Sequence, residues 1–173
     1  MTDDNKSQTS SIIQELKENA MKNSHITIHT DGSCKGNPGP GGYGAVIRHH
    51  ENGAEIEKRS LSGGAASTTN NRMEMTAALQ GLRQIKRDET TPITVISDSQ
   101  ILIRGMNEWI TNWQAKGWRK AKGKGVINDD IWKELLEVSK GLNVQWKWVR
   151  GHDGDACNEE AHDLAYAAAR KAT

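Results

Sequence analysis

The chain predicts an α/β domain: a mixed five-stranded sheet, three antiparallel strands followed by parallel ones, with helices on both faces. Three observations carry this. β-prone stretches at 25–30, 41–48 and 54–61 follow one another through short links, the second holding the hairpin pair Asn52-Gly53. Beyond them, strand-like and helix-like runs alternate, which calls for crossover connections and parallel pairing. The apolar period changes to match. Met75, Leu79, Leu82 and Ile85 recur at helical spacing, whereas Val144-Gln145-Trp146-Lys147-Trp148-Val149 alternates as a strand does.

Element by element, residues 1–24 read as an N-terminal extension, a short helix or disordered. Ser11-Ile12-Ile13-Gln14 can open a helix with a capping box, and Ile12, Leu16 and Ala20 keep helical spacing. So short a helix is marginal unless docked. The domain proper is expected over 25–173. After the three-strand meander comes the helix bearing Glu74, then a short buried strand at 93–96, further helices and the alternating strand at 144–149. A helix from about Cys157 through the Ala-rich tail closes the chain.

At 173 residues the chain can bury a full core without disulfides or an obligate partner, so a monomer is expected. A net charge of +1 predicts no partner by itself; the distribution does. No acid lies between Glu108 and Asp129, while Lys116, Arg119, Lys120, Lys122 and Lys124 fall within nine positions. Cys34 and Cys157 lack metal-ligand spacing and fit a reducing compartment. No run is long and apolar enough to span a bilayer, and the acidic, polar N-terminus is unlike a signal peptide. A cytoplasmic location is the expectation, with no membrane role.

Three acids stand out: Asp31 in Thr30-Asp31-Gly32-Ser33, Glu74 in Asn70-Asn71-Arg72-Met73-Glu74, and Asp98 in Ser97-Asp98-Ser99-Gln100. Asp31 and Asp98 each follow a β-prone run, so adjacent strands would deliver both carboxylates side by side, with Glu74 joining from a packed helix. Converging carboxylates repel unless a cation lies between them. Hard oxygen ligands suit Mg²⁺, which points to metal-dependent phosphoryl chemistry. Each acid also has a plain structural alternative. Asp31 suits a turn, Glu74 could reach back to Asn71 as a capping-box partner, and Asp98 could N-cap the following helix.

These segments carry a resemblance. Thr30 through Gly44, Thr69-Asn70-Asn71-Arg72-Met73-Glu74, Ser97-Asp98-Ser99-Gln100 and Gly151-His152 are similar to the motifs of the bacterial kind of type 1 ribonuclease H, from about His25 to the C-terminus. The resemblance implies a ribonuclease H-like fold and endonucleolytic cleavage of the RNA strand of RNA–DNA hybrids, leaving 5′-phosphate and 3′-hydroxyl ends. It implies Asp31, Glu74 and Asp98 as ligands of two Mg²⁺ ions, with Mn²⁺ able to substitute. It also implies His152 as a catalytic residue on a mobile loop. Two cations can activate water and neutralise the leaving oxygen of an in-line displacement.

A hybrid is told from pure duplexes by the ribose 2′-hydroxyl in a wide minor groove. Short neutral groups near the metals can read that hydroxyl. Asn37, Asn70, Gln100 and the backbone at Gly32, Ser33 and Cys34 are of this kind, with Thr69 and Asn71 at phosphate or bracing the loop. The resemblance places RNA contacts at these positions. It also makes 109–127 a basic protrusion that grips the DNA strand, with Trp109, Lys116, Trp118, Arg119, Lys120, Lys122, Lys124 and Trp132 as contacts. Helical spacing of Trp109 and Trp113 equally fits a core, and lysines equally fit a solvated face.

One departure matters. The last helix should carry a fourth site acid within Asn-Glu-x-Ala-Asp-x-Leu-Ala. Asn158, Glu159, Ala161, Leu164 and Ala165 match, but His162 stands where the acid belongs. Asp163 lies about 100° further round the helix. His162 is therefore read as a site residue, with a plain surface histidine as the alternative. It leaves open a hybrid-binding module with weakened catalysis. A related exonuclease is disfavoured, because Ser33 stands where an Asp-x-Glu pair would put its second acid.

Overall fold

The computed structural model describes residues 3–151 and 154–173. Its sheet has the order β3-β2-β1-β4-β5. β1 (Ser24–Cys34), β2 (Gly39–Glu51) and β3 (Ala54–Thr68) form the antiparallel meander, turning at Asn52-Gly53. β4 (Ile93–Ser97) and β5 (Val144–Trp148) add in parallel on the other side of β1. This is the mixed sheet the sequence predicts. Its first and third strands run further than their apolar pattern suggests. β1 continues through Asp31 to Cys34 opposite Gly41–Gly44, and β3 continues past Leu61 to Thr68. Backbone pairing needs no apolar side chain, so small residues extend the ladder invisibly to hydropathy.

The helices are α1 (Asp3–Lys22), α2 (Asn70–Arg83), α3 (Gln100–Arg104), α4 (Ile110–Ala115), α5 (Asp129–Ser139) and α6 (Ala156–Lys171), with a π-helical turn at Gly105–Trp109 joining α3 to α4. α1 is longer than the sequence signals suggest, and Ile12, Ile13 and Leu16 on it are exposed. No helix is long and apolar enough to cross a membrane among the described residues.

α2 and α6 cover opposite faces. On the α2 face Ile26, Ile28, Ile47, Met75, Leu79, Leu82, Val95, Leu102 and Leu135 form one apolar cluster. Each fully buried leucine there stabilises the fold by about 1.5–3 kcal/mol relative to exposure. α5 packs on α2 through Ile131, Trp132 and Leu135. Trp132, expected among the nucleic-acid contacts, is 2% exposed and packs against Gly105 and Trp113. That corrects its assignment: a ring sealed in the core cannot touch a substrate. On the α6 face the contact is between backbones. A Cβ on Gly44 would collide with the Ala161 carbonyl, and one on Gly42 with the backbone of Ala165 and Ala169.

Candidate active site

Parallel pairing of β1 with β4 places the two aspartates. His29 lies opposite Ile96, so two residues further on Asp31, still inside β1, comes level with Asp98 just past the end of β4. Glu74 arrives from the first turns of α2, which approaches β1 because Gly32 has no side chain: a Cβ there would meet the Glu74 amide. One carboxylate oxygen from each of Asp31, Glu74 and Asp98 lies within 4.8 Å of the other two. The structural alternatives for these acids fall away. Asp31 is inside β1 rather than in a turn. Thr69, not Asn71, N-caps α2, its hydroxyl accepting from the Arg72 amide at 3.3 Å. Ser99, not Asp98, N-caps α3, accepting from Leu102.

Glu74 is 5% exposed, and its Oε2 is buried without a hydrogen-bond partner. Burial pushes its carboxyl well above the usual range, the charges of Asp31 and Asp98 and a hydrogen bond with Asp31 push the same way, and the Gly32 amide opposes them. An orphaned buried carboxylate oxygen facing two further acids is unfavourable alone and fits a hard divalent cation.

His162 projects from α6 into this cluster. Its Nδ1 lies 2.8 Å from Asp31 Oδ2, and its ring stacks near Tyr166. The surface-histidine alternative is thereby set aside, while Asp163, one position on, is exposed. A small cavity beside the acids is lined by Thr30, Asp31, Asp98, Gly151, Asn158, Glu159 and His162. In the sequence Asn158 and Glu159 stand out only as pattern anchors. His152 lies outside the described residues.

Around the acids, Asn37, Asn70, Asn71 and Gln100 are exposed, and Gly32, Ser33, Cys34 and Thr69 are half-buried. Asn37 Oδ1 accepts from the Asn70 amide at 3.2 Å, tying the β1–β2 loop to the start of α2. The Cys34 thiol points to the carbonyls of Gly39 and Thr68, each at 3.4 Å, and so braces the same loop. Arg72 turns away from the acids, donating to Asp130 through both terminal nitrogens and to Asn128 Oδ1. It links α2 to the start of α5.

Lys116, Arg119, Lys120, Lys122 and Lys124 are all exposed on a compact excursion between α4 and α5. That excursion is closed by the Lys120 amide on the Lys124 carbonyl and the Val126 amide on the Trp118 carbonyl. Trp109 and Trp118 are half-buried, and each carries a cation over its ring, Arg104 at 5.0 Å and Lys133 at 5.5 Å. Sequence reasoning missed Trp148, whose indole nitrogen donates to the Asp98 carbonyl at 3.0 Å and so steadies an acid of the site. Its only signal was a place on the strand next to β4.

Comparison with known proteins agrees with this geometry. The ribonuclease H family model, described as RNase H, matches residues 23–170. The Ribonuclease H of Pelobacter propionicus is 51% identical over 142 residues, 82% of this chain and 83% of that one. The Ribonuclease HI of Pseudomonas aeruginosa is 49% identical over 140 residues, covering 81% and 90%. Among solved structures, LC9-RNase H1, a type 1 RNase H with the type 2 active-site motif, superposes with a TM-score of 0.76 at 32% identity over 86% of this chain and 73% of its own. LC11-RNase H1 in complex with RNA/DNA hybrid shares the fold, with a TM-score of 0.64 at 24% identity over 85% and 98%. This chain belongs to the ribonuclease H family, as a type 1 member of the bacterial kind.

Proposed function

We propose that the enzyme cuts the RNA strand of RNA–DNA hybrids internally, using two Mg²⁺ ions held by Asp31, Glu74 and Asp98, and leaves 5′-phosphate and 3′-hydroxyl ends. The observation that carries this reading is the convergence of three carboxylates around an unpartnered buried oxygen of Glu74. Divalent ions held by these three carboxylates would supply the Lewis acidity for phosphodiester hydrolysis, and Mn²⁺ would serve in place of Mg²⁺. The chain's own residues do the rest. Gly32 and Trp148 set the positions of Glu74 and Asp98. The open groups of Asn37, Asn70 and Gln100, with the Gly32–Cys34 backbone, suit a 2′-hydroxyl at the mouth of the site. The exposed cations at 116–124 suit the phosphates of the partner strand. In this reading residues 25–173 are the catalytic domain, 1–24 an appended extension that includes α1, and His152 assists proton transfer or product release.

The test is end-labelled RNA–DNA hybrid incubated with the full chain and Mg²⁺, Mn²⁺ or chelator. Internal cuts confined to RNA, with 5′-phosphate ends and none in chelator, support the reading. End-trimming, or cleavage that survives chelation, contradicts it.

His162 favours one second reading, a hybrid binder with weakened catalysis, because a histidine holds Asp31 where an acid is expected. Imidazole suits Mn²⁺ better than the harder Mg²⁺. His162→Asp is expected to raise Mg²⁺-supported turnover by about tenfold or more, and to narrow the gap between the two metals. Unchanged rates with both metals would show that this side chain takes no part in the chemistry.

A further inference from the structure

A second group of metal-ligating side chains lies beneath α6, apart from the carboxylate centre. His29, Asp155 and Cys157 each offer a ligand atom, and the three atoms lie within 4.8 Å of one another. They come from the middle of β1 and the N-terminal end of α6, so sequence spacing alone hides them. His29 is 6% exposed, and its Nδ1 is buried with no hydrogen-bond partner. An unsatisfied ring nitrogen in a sealed position is unfavourable until it gains a partner. Asp155 uses Oδ1 to cap α6 through the Cys157 amide at 2.8 Å. Its carboxylate still has acceptor capacity for a second partner. Cys157 is half-buried and outside any disulfide, and its thiol hydrogen-bonds with the Asp155 side chain.

We propose that His29, Asp155 and Cys157 form a second cation site, selective for a thiolate-accepting divalent ion of the Zn²⁺ type and distinct from the carboxylate centre. The donor set selects the ion. Nitrogen, sulfur and oxygen together match a tetrahedral ion with one open position, whereas the all-oxygen cluster of Asp31, Glu74 and Asp98 matches a hard one. Donor atoms around a tetrahedral Zn²⁺ sit about 3.3–3.8 Å apart, given bond lengths near 2.0–2.3 Å. A contraction of about 1–1.5 Å from the observed limit, within the reach of side-chain rotation, would close the site. The charges balance too. A thiolate, a carboxylate and a neutral imidazole cancel the ion, so nothing charged is left uncompensated beside the packed α6 face. The ion displaces the Cys157 proton on binding, and that proton leaves to solvent.

Once occupied, the site staples the start of α6 to β1 two residues before Asp31. It therefore acts on the element that carries His162, without touching the acids. It stands independently of the hydrolytic reading, and its readout is spectroscopic.

The full chain carrying Asp31→Asn and Asp98→Asn, which removes two acids of the carboxylate centre, is titrated with Co²⁺ and then with Zn²⁺. One equivalent of Co²⁺ is expected to give tetrahedral ligand-field absorption with a thiolate charge-transfer band, and Zn²⁺ is expected to displace it. Adding Cys157→Ser should abolish the charge-transfer band and weaken binding by at least about 100-fold, the upper end of what losing an outer partner costs. Cys34→Ser should change neither. His29→Gln, checked for folding by circular dichroism, should weaken binding comparably. The proposal is overturned if Co²⁺ binds without the charge-transfer band. It is equally overturned if the band survives Cys157→Ser or vanishes in Cys34→Ser.

Discussion

The two faces of the sheet are built by opposite means. Under α2 the contact is oil: isoleucines, leucines and methionines fill the space between helix and strands. Under α6 it is backbone against backbone. Gly42 and Gly44 admit the helix at Ala161, Ala165 and Ala169, and the space left over holds His29, Arg48 and Glu160. An apolar face tolerates loss of a methyl group as a cavity; a face with no side chain between backbones cannot absorb a gain. The difference teaches where chemistry can sit. Glu74 rides on the helix held by the oily face, His162 on the helix held by the bare one, and Asp31 and Asp98 lie where the two meet.

The largest expected effect breaks the packing of each face in turn. Leu82→Ala, at a fully buried position, should cost about 2–5 kcal/mol in denaturant melts. It should leave hybrid cleavage intact in the folded fraction. Gly44→Ala should cost about 1–3 kcal/mol by overpacking, and it should also lower turnover because α6 and His162 must shift. A Gly44→Ala enzyme of normal stability and rate would show that the close approach of α6 is dispensable.

A smaller effect sharpens the polar part of the α6 face. Glu160 pairs with Arg48 at 2.6 Å and Lys58 at 2.8 Å, fastening α6 to β2 and β3. The Lys58 hydrogen bond holds its carboxyl below the usual range against partial burial, and the charges of Lys58 and Arg48 reinforce this. A depressed carboxyl contributes stability that is complete above its unfolded pKa and lost as pH falls through the lower folded value. Glu160→Gln should therefore cost about 1 kcal/mol at neutral pH and flatten the stability profile on the acid side. An unchanged acid limb would mean that the pair contributes nothing net.

The weakest effect on fold, and a selective one on function, concerns the excursion at 116–124. Replacing Lys116, Arg119, Lys120, Lys122 and Lys124 with Ala should leave melts unchanged, since all five are exposed. It should raise KM far more than it lowers kcat. For every phosphate no longer neutralised, the slope of log affinity against log salt should also shrink by roughly 0.7–0.9. An unaltered slope would make these charges mere solvation.

Much of this architecture is legible in the sequence. The mixed sheet follows from three successive β-prone runs and then crossovers, and the three acids follow from their settings. What escapes is whatever depends on partners distant in sequence. The extension of β1 to Cys34 rests on backbone pairing with Gly41–Gly44 of β2, which no apolar pattern within 31–34 reveals. Trp132 follows a basic, Trp-rich stretch, yet the missing side chain of Gly105 makes room for its ring in the core. Trp148 is legible as a strand residue, but not as the donor to Asp98. His29 and Cys157 lie 128 positions apart by their numbers, so no spacing rule could join them.

The central claim is that Asp31, Glu74 and Asp98 are kept together, against their mutual repulsion, to hold catalytic cations. It is tested most directly by single-turnover cleavage of labelled RNA–DNA hybrid at saturating Mg²⁺, with hybrid binding measured in parallel, for Asp31→Asn, Glu74→Gln and Asp98→Asn. Each variant is expected to fold and bind hybrid, and to lose cleavage by at least about 100–1000-fold. Near-normal turnover in any one of the three would contradict the claim.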